Sequence, residues 1–425
     1  MNKSIPKKII LISSIGGIFE FYDFIIYASF GAVLANIFFT DHYSFIVRLL
    51  TTYFIFAIGY LGRPLGGLIL AHIGDKKGRK TVFMFTLFLM AVPTLFIGCL
   101  PTYDKIGVIA PILLVIFRFC QGVALGGEMP AAATFVHEHS ELKDKNTSMS
   151  YLYSGFVGGI LLGTIVAFLL NYFMTQNALY SYGWRIPFII GGVLALVGSW
   201  LRKSATESPE FNKIKKNNKI VQVPIYEMLK TSKISALKSI LIAMTACTGT
   251  MIYWIYFPVF LKVNMGYSAI DAFSFNILNI ILGIIFIIIA GKIANKITPE
   301  KTFILGSLIL IIITIPSIIA FKDGNIIFML ASSIVFNFGV GCIMIYVAVI
   351  AGLFQTPVRF TGFAFSVNIA FIFAGFLPVI IISLISATNS IYAISFLMIA
   401  MAFVGLFGIM LKNSKNHFLN SINNE

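Results

Sequence analysis

Ile277-Leu-Asn-Ile-Ile-Leu-Gly-Ile-Ile-Phe-Ile-Ile-Ile-Ala290 is followed by Gly291-Lys-Ile-Ala-Asn-Lys-Ile-Thr-Pro-Glu-Lys301 and then by Thr302-Phe-Ile-Leu-Gly-Ser-Leu-Ile-Leu-Ile-Ile-Ile-Thr-Ile-Pro-Ser-Ile-Ile-Ala-Phe321. Two long apolar runs meet at a short basic loop. A helix rises 1.5 Å per residue, so roughly 20 such residues cross the ~30 Å hydrocarbon core of a bilayer. A membrane β-barrel would instead show short strands of alternating polarity. The same pattern repeats outward in both directions. It predicts twelve helices at roughly 9–37, 46–71, 81–100, 109–136, 149–173, 186–201, 237–261, 271–294, 301–321, 325–350, 361–385 and 390–411.

Composition requires the same answer. Of 425 residues 58% are hydrophobic and only 11% charged, whereas soluble domains carry about 25% charged residues. Such a chain cannot hide its apolar side chains inside itself and must use lipid as solvent. The net charge of +15 raises the question of a nucleic-acid partner, and its distribution answers it. Of the 31 lysines and arginines, 24 fall in the N-terminus, the even-numbered loops and the C-terminus, 5 fall in the odd-numbered loops, and Arg63 and Arg118 lie within helices. Positive charge is retained on the cytoplasmic side, so both termini are expected there and no nucleic acid is needed. The first apolar run contains Glu20 and Asp23 and has no clear small-residue cleavage site, so it reads as a retained helix rather than a signal peptide. Cys99, Cys120, Cys247 and Cys342 are widely spaced in apolar context and form no metal or disulfide pattern.

The longest polar stretch divides the chain. The expected organisation is a six-helix bundle over 1–201, a basic cytoplasmic linker over 202–236, a second six-helix bundle over 237–412 and a short tail over 413–425. The loop Gly74-Asp-Lys-Lys-Gly-Arg-Lys80 joins helices 2 and 3, and Gly291–Lys301 occupies the matching place in the second half, with Asn295 where an acid would stand. Two pseudo-symmetric bundles with a binding site between them are a transporter architecture. Gly62 and Gly66 on helix 2, Gly122 and Gly126 on helix 4, and Gly155, Gly159 and Gly163 on helix 5 are spaced four apart, which lets backbones approach in lipid.

Further motifs stand in order along the chain. Helix 1 has Phe19-Glu-Phe-Tyr-Asp-Phe24 and Tyr27; helix 2 has Gly62-Arg-Pro-Leu-Gly-Gly67; helix 4 has Arg118-Phe-Cys-Gln-Gly122 and Gly126-Gly-Glu128. Helix 6 opens with Trp184-Arg-Ile-Pro-Phe188 and is followed by Glu207-Ser-Pro-Glu-Phe211; the second half has Pro357-Val-Arg-Phe-Thr-Gly362, Asn368 and Pro378. Together these resemble the metabolite:proton symporter family of the major facilitator superfamily, which includes proline/betaine, dicarboxylate, citrate and shikimate carriers. The sequence departs from that pattern at Met129-Pro130, at Val367 and in the second-half loop. The resemblance implies a cytoplasmic gate of Asp75, Gly78, Arg79 and Lys80 against Glu128 and Arg359. It also implies a proton gradient as the energy source and no cofactor. The chain ends about 14 residues after the last helix, so the C-terminal coiled coil of some osmosensing relatives, and regulation through it, are not expected.

Charges inside the membrane are costly and so mark function. Glu20 and Asp23 are three apart on one face of helix 1. Arg118 lies about nine residues into helix 4, near the midplane, with Gln121 on the same face. One of the two carboxylates is expected to carry a proton, balanced by Arg118, which also offers a bidentate fork to a substrate carboxylate. The alternative is a fixed ion pair that only joins helices 1 and 4. Arg63 either lines the cavity or neutralises a carboxylate. Tyr22, Tyr27, Arg63, Arg118 and Gln121, with Trp254, Tyr256 and Asn368 from the second half, are the candidate substrate contacts. Trp254 and Tyr256 suit a quaternary ammonium, or else an interfacial aromatic belt. The reading is an all-α, monomeric, bacterial inner-membrane carrier that moves protons together with a small zwitterion such as proline or betaine. A mono- or dicarboxylate cargo is the alternative, and an uncoupled facilitator ranks below both. No catalytic constellation is visible.

Overall fold

The computed structural model describes residues 7–77, 79–201, 224–354 and 356–411; within these, the side chains of 7–12, 15–16, 71–84, 87, 138–139, 142, 199, 201, 224 and 356–357 are outside the description. The helices used below are α1 Lys7–Ser29, α2 Gly31–Phe38, α3 Phe45–Lys77, α4 Arg79–Cys99, α5 Ile109–Leu125, α6 Glu128–His139, α7 Lys145–Phe173 and α8 Arg185–Leu201. The second half contains α9 Pro224–Thr231, α10 Lys233–Thr250, α11 Phe257–Met265, α12 Ala269–Ile297, α13 Pro299–Asp323, α14 Ile326–Ile343, α15 Tyr346–Leu353, α16 Thr356–Thr388 and α17 Ala393–Met410. Among the described residues, nine helices are long and apolar enough to cross a membrane, two more spans are bent pairs, and Phe88–Cys99 is the apolar described part of another. The twelve spans read from the sequence are therefore accounted for.

Several are not straight. The first span bends by 62° between Ser29 and Gly31. A Cβ at Gly31 would stand 2.8 Å from the Tyr53 hydroxyl, so a residue without one is needed where α2 turns against α3. The fourth span breaks between α5 and α6, and the tenth between α14 and α15. In the fourth, Pro130 lacks the N–H that would bond to Gly126, which leaves the Gly126 carbonyl free for another partner. The seventh span holds a π-helical segment, Met251–Tyr256, between α10 and α11. This span begins at Lys233, a few residues inside the stretch read as linker, and α9 is helical there too; residues 202–223 lie outside the description.

Packing repeats with an offset of six spans. α1 lies on α7 as α10 lies on α16; α3 on α5 as α12 on α14; α4 on α8 as α13 on α17. The halves meet where α7 packs on α12 and where α3 packs on α16, two contacts that the same pseudo-twofold exchanges. Large apolar side chains such as Ile312, Phe328, Phe396 and Met410 point outward, as expected where lipid rather than water is the solvent. Lys238 is buried and its Nζ donates to the carbonyl of Ile409 at 3.1 Å, closing the last turn of α17, whose carbonyls have no partner in their own helix.

Helices α3 and α5 approach each other closely. A Cβ at Gly122 would overlap the carbonyl oxygen of Gly59, and one at Gly66 that of Val123; at Gly62 it would lie 2.7 Å from the carbonyl of Phe119. These glycines bring two buried arginines, one on each helix, to the centre of the molecule.

Candidate functional site

Glu20, Asp23, Arg63 and Arg118 are all fully buried. The sequence reading balanced a helix 1 carboxylate with Arg118 and left Arg63 either to line the cavity or to neutralise a carboxylate. Each carboxylate has its own arginine. Asp23 Oδ2 accepts from Arg118 Nη1 at 2.8 Å, and Glu20 Oε1 accepts from Arg63 Nη1 at 2.6 Å. Arg63 thus neutralises a carboxylate, one of the two roles open to it. Buried charges need this pairing, because an isolated ion in a low-dielectric interior is costly.

The surroundings of the two pairs differ. Around Asp23, Gln121 Nε2 donates to Oδ1 at 2.9 Å, Thr94 Oγ1 lies 3.3 Å from the same oxygen, and Gln121 Nε2 also lies 2.7 Å from Thr94 Oγ1. Arg118 Nη1 also donates to Gln121 Oε1 at 2.9 Å. Around Glu20, Oε2 has no hydrogen-bond partner among the described residues.

Aromatic rings enclose both guanidinium groups. Arg118 lies 4.4 Å from the Tyr27 ring centroid and 5.3 Å from that of Phe56. Arg63 lies 4.1 Å from the Phe371 centroid. Phe24 stands between them, 5.8 Å from Arg63 and 5.9 Å from Arg118. Rings this close stabilise desolvated cations through their quadrupole. Arg118 Nε and Nη2, which form one edge of the fork, have no hydrogen-bond partner among the described residues. That edge faces Gly59, where a Cβ would lie 3.5 Å from Nε and 3.6 Å from Nη2.

The remaining candidates are placed as follows. The Tyr22 hydroxyl donates to the carbonyl of Pro187 at 2.9 Å and that of Tyr27 to the carbonyl of Thr52 at 3.2 Å. Asn368 has both ends of its amide engaged: Oδ1 accepts from Arg63 Nε at 3.2 Å, and Nδ2 donates to the Gly126 carbonyl at 2.8 Å. Beside it, a cavity of about 80 Å³ is lined by Pro64, Gly67, Thr361 and Phe365. Trp254 does not stand with its ring edge free; Nε1 donates to Asn337 Oδ1 at 3.0 Å, and Asn337 Nδ2 donates in turn to Asn279 Oδ1 at 2.8 Å. Tyr256 packs edge-on against Tyr53 at 5.6 Å across the two halves. Glu128 is buried and accepts from Thr86 at 2.9 Å, and Arg359 Nε donates to the Phe354 carbonyl at 3.2 Å. Gly78 and the side chains of Asp75, Arg79 and Lys80 lie outside the described residues.

Sequence reading missed Thr94, Phe56 and Phe371, which carry no signal until helices are packed. It also missed the Gly126 carbonyl, whose signal was present as Pro130 four residues on.

Trp254→Phe should lower stability. The variant keeps an aromatic face but leaves Asn337 Oδ1 without its indole donor, a loss of about 1–3 kcal/mol for a buried polar group. Thermal unfolding in mild detergent reads this as a lower midpoint; an unchanged midpoint would mean that the indole N–H contributes nothing.

Comparison with known proteins gives the class. The family profile of the Major Facilitator Superfamily matches residues 15–377, and the chain belongs to that family of membrane transporters. It is 31% identical over 415 residues to a Staphylococcus aureus (strain MSSA476) protein named provisionally as a proline/betaine transporter, covering 94% of this chain and 86% of that one. It is 29% identical over 424 residues to the proline/betaine transporter of Escherichia coli (strain K12), covering 96% and 84%. The solved structure of the proton:xylose symporter XylE with a bound bromo-deoxy-glucose superposes with a TM-score of 0.77 at 16% identity over 98% of both chains, which shows the shared fold.

Proposed function

We propose that this chain is a symporter that couples the entry of protons to the entry of a small zwitterion, proline or a betaine, by alternating access. It would act as a monomer in a bacterial inner membrane, with both termini cytoplasmic. The observation that carries the reading is the pair of buried ion pairs with one open guanidinium edge. Glu20, Asp23, Arg63 and Arg118 sum to zero charge. A cargo of zero net charge enters without leaving an unbalanced buried ion, and its carboxylate finds the unpartnered Nε and Nη2 of Arg118. Asp23 and the rings of Phe24, Tyr27 and Phe56 suit its cationic end. A dianion would leave unbalanced negative charge in the buried site and would find at Arg63 only Nη2 without a partner among the described residues, not an open two-nitrogen edge. The names of the relatives in Staphylococcus aureus and Escherichia coli point to the same cargo, and the proton coupling of XylE, a symporter of the same fold, to the same energy source.

One of Glu20 and Asp23 would take the proton. Alternating access requires the halves, 1–201 and 237–412 about the linker 202–236, to rock on the α7–α12 and α3–α16 contacts. Asp75, Gly78, Arg79 and Lys80 with Glu128 and Arg359 would close the cytoplasmic face. The test is uptake by proteoliposomes of labelled proline, glycine betaine, 2-oxoglutarate, citrate and shikimate, with and without an inward proton gradient. Proline or betaine should accumulate, and more so with the gradient. Uptake that ignores the gradient would leave a facilitator; uptake of a carboxylate alone would overturn the zwitterion.

A further inference from the structure

The two buried carboxylates are not equivalent, and the difference says which of them moves the proton. Asp23 has two firm donors, Arg118 on Oδ2 and Gln121 on Oδ1, so both of its oxygens are satisfied as an anion; the Thr94 hydroxyl, 3.3 Å away, has a nearer acceptor in the Met90 carbonyl at 2.9 Å. Glu20 has one donor, Arg63 Nη1, and its second oxygen is buried without a partner among the described residues. A carboxylate held by several donors stays ionised; one with an empty, desolvated oxygen gains most from binding a proton there. Among the described residues, charged and titratable groups near enough to Glu20 to interact with it electrostatically include Arg63 and Tyr60 on α3, Glu128 on α6, Tyr153 on α7 and Cys247 on α10, and Arg63 alone of these has a hydrogen bond to it. Arg63 is the only cation among them, so the charge of Glu20 decides whether Arg63 has a close anion.

Arg63 is also the arginine that touches the other half of the molecule. Its Nε donates to Asn368 on α16, and Asn368 donates to the Gly126 carbonyl that Pro130 leaves free. A continuous chain of contacts therefore runs from α1 through α3 to α16 and back to the break between α5 and α6. Asp23 and Arg118 have no such link: every hydrogen-bond partner described for them lies in the first half.

We propose that Glu20 takes up the transported proton, that Asp23 stays ionised as the counter-ion of Arg118 and cargo, and that Asn368 is a positioning residue which transmits the charge state of Glu20 to the contact between the halves. The step is a single proton transfer. A proton from water bonds to Glu20 Oε2, the carboxylate becomes a neutral acid, and Arg63 loses its anion. Arg63 stays a cation and keeps its charge-assisted bond to Asn368, but no ion pair then holds it toward α1, so the Arg63–Asn368 pair and with it the α3–α16 contact can shift. Release to water on the other side reverses each change. This assignment rests on the symport reading above and deepens it.

The experiment uses the full chain in proteoliposomes, with labelled proline and glycine betaine as probes. Wild type, Glu20→Gln, Asp23→Asn and Asn368→Ala are compared in two assays. One is accumulation under an inward gradient of one pH unit, which drives at most about tenfold accumulation with one proton per cycle. The other is counterflow at equal pH, which needs no net proton movement. Glu20→Gln should bring accumulation down to about equilibrium while counterflow persists. Asp23→Asn should lose both. Asn368→Ala should keep counterflow and lose most of the accumulation, a split that a merely structural residue would not produce. The assignment is overturned if Glu20→Gln still accumulates cargo against the gradient, or if Asp23→Asn keeps counterflow while losing accumulation. Infrared difference spectra on acidification give a readout independent of cargo: the protonated-carboxyl band should vanish in Glu20→Gln and remain in Asn368→Ala. If wild type ignores the gradient, the symport reading fails, and the band still decides whether Glu20 is the group that titrates. A band that survives in Glu20→Gln rejects the assignment outright.

Discussion

Arg118→Ala is expected to abolish uptake and to leave little folded protein. Asp23 would keep its charge in a fully buried position with its cation gone, and breaking a buried pair in this way costs about 3–5 kcal/mol. That is a large part of the roughly 5–15 kcal/mol that holds a typical fold together. The cause can be separated from the effect by removing the anion as well. Arg118→Ala combined with Asp23→Asn should recover folded protein, since no unpaired ion remains, and still show no uptake. Arg118→Lys tests the open edge. Lysine keeps the charge and a bond to Asp23 but offers a point donor where arginine offers a planar fork. Losing one charge-assisted bond to a cargo carboxylate, about 1.5–3 kcal/mol, should raise KM by roughly 10- to 100-fold. Folded yield, thermal midpoint and uptake kinetics measure all three. A lysine variant with wild-type KM would mean that Nε and Nη2 do not touch the cargo.

The second large effect is expected at Gly122. Its missing Cβ is filled by the carbonyl oxygen of Gly59 on α3. Gly122→Val must push α3 and α5 apart, because backbone on both sides cannot yield as a side chain tip can. Overpacking of this kind costs about 1–3 kcal/mol and more where no rotamer relieves it. The functional cost should be larger still. Arg118 sits one turn before Gly122 and Arg63 one turn after Gly59, so parting these helices moves both guanidinium groups away from α1 together. Transport should be lost even in whatever fraction folds. Gly158→Ala is the control, since a Cβ there meets nothing within 4 Å; it should be neutral or slightly stabilising through better helix propensity. Size-exclusion profiles, thermal midpoints and uptake distinguish the two. A Gly122→Val protein that is monodisperse and transports normally would show that the α3–α5 approach is not required.

Much of this was legible before any coordinates. The run from Ile277 to Phe321 made a helical membrane protein unavoidable, because its apolar length matches a bilayer and nothing in it alternates with the period of a strand. Glu20, Asp23, Arg63 and Arg118 were conspicuous as charges in apolar helices. Helical period put Glu20 and Asp23 on one face, and counting residues from the loop put Arg118 at the midplane.

Which carboxylate meets which arginine was not legible. Arg63 is 43 residues from Glu20, Arg118 is 95 from Asp23, and Asn368 is 305 from Arg63. Periodicity fixes the face of a helix but not the neighbour that face meets, and composition cannot say that Phe24 will stand between two guanidinium groups. The same limit applies to Trp254 and Asn368, which sequence offered as cargo contacts and packing supplied with partners inside the protein. Solvent chemistry, span length and helical period are local properties, so the sequence by itself determined the membrane class, the twelve spans and the set of buried charges. The two separate ion pairs, the empty oxygen of Glu20 and the bridge from Arg63 through Asn368 to Gly126 were decided only by tertiary structure, because each depends on helices distant in the chain closing on one another where glycine lets their backbones touch.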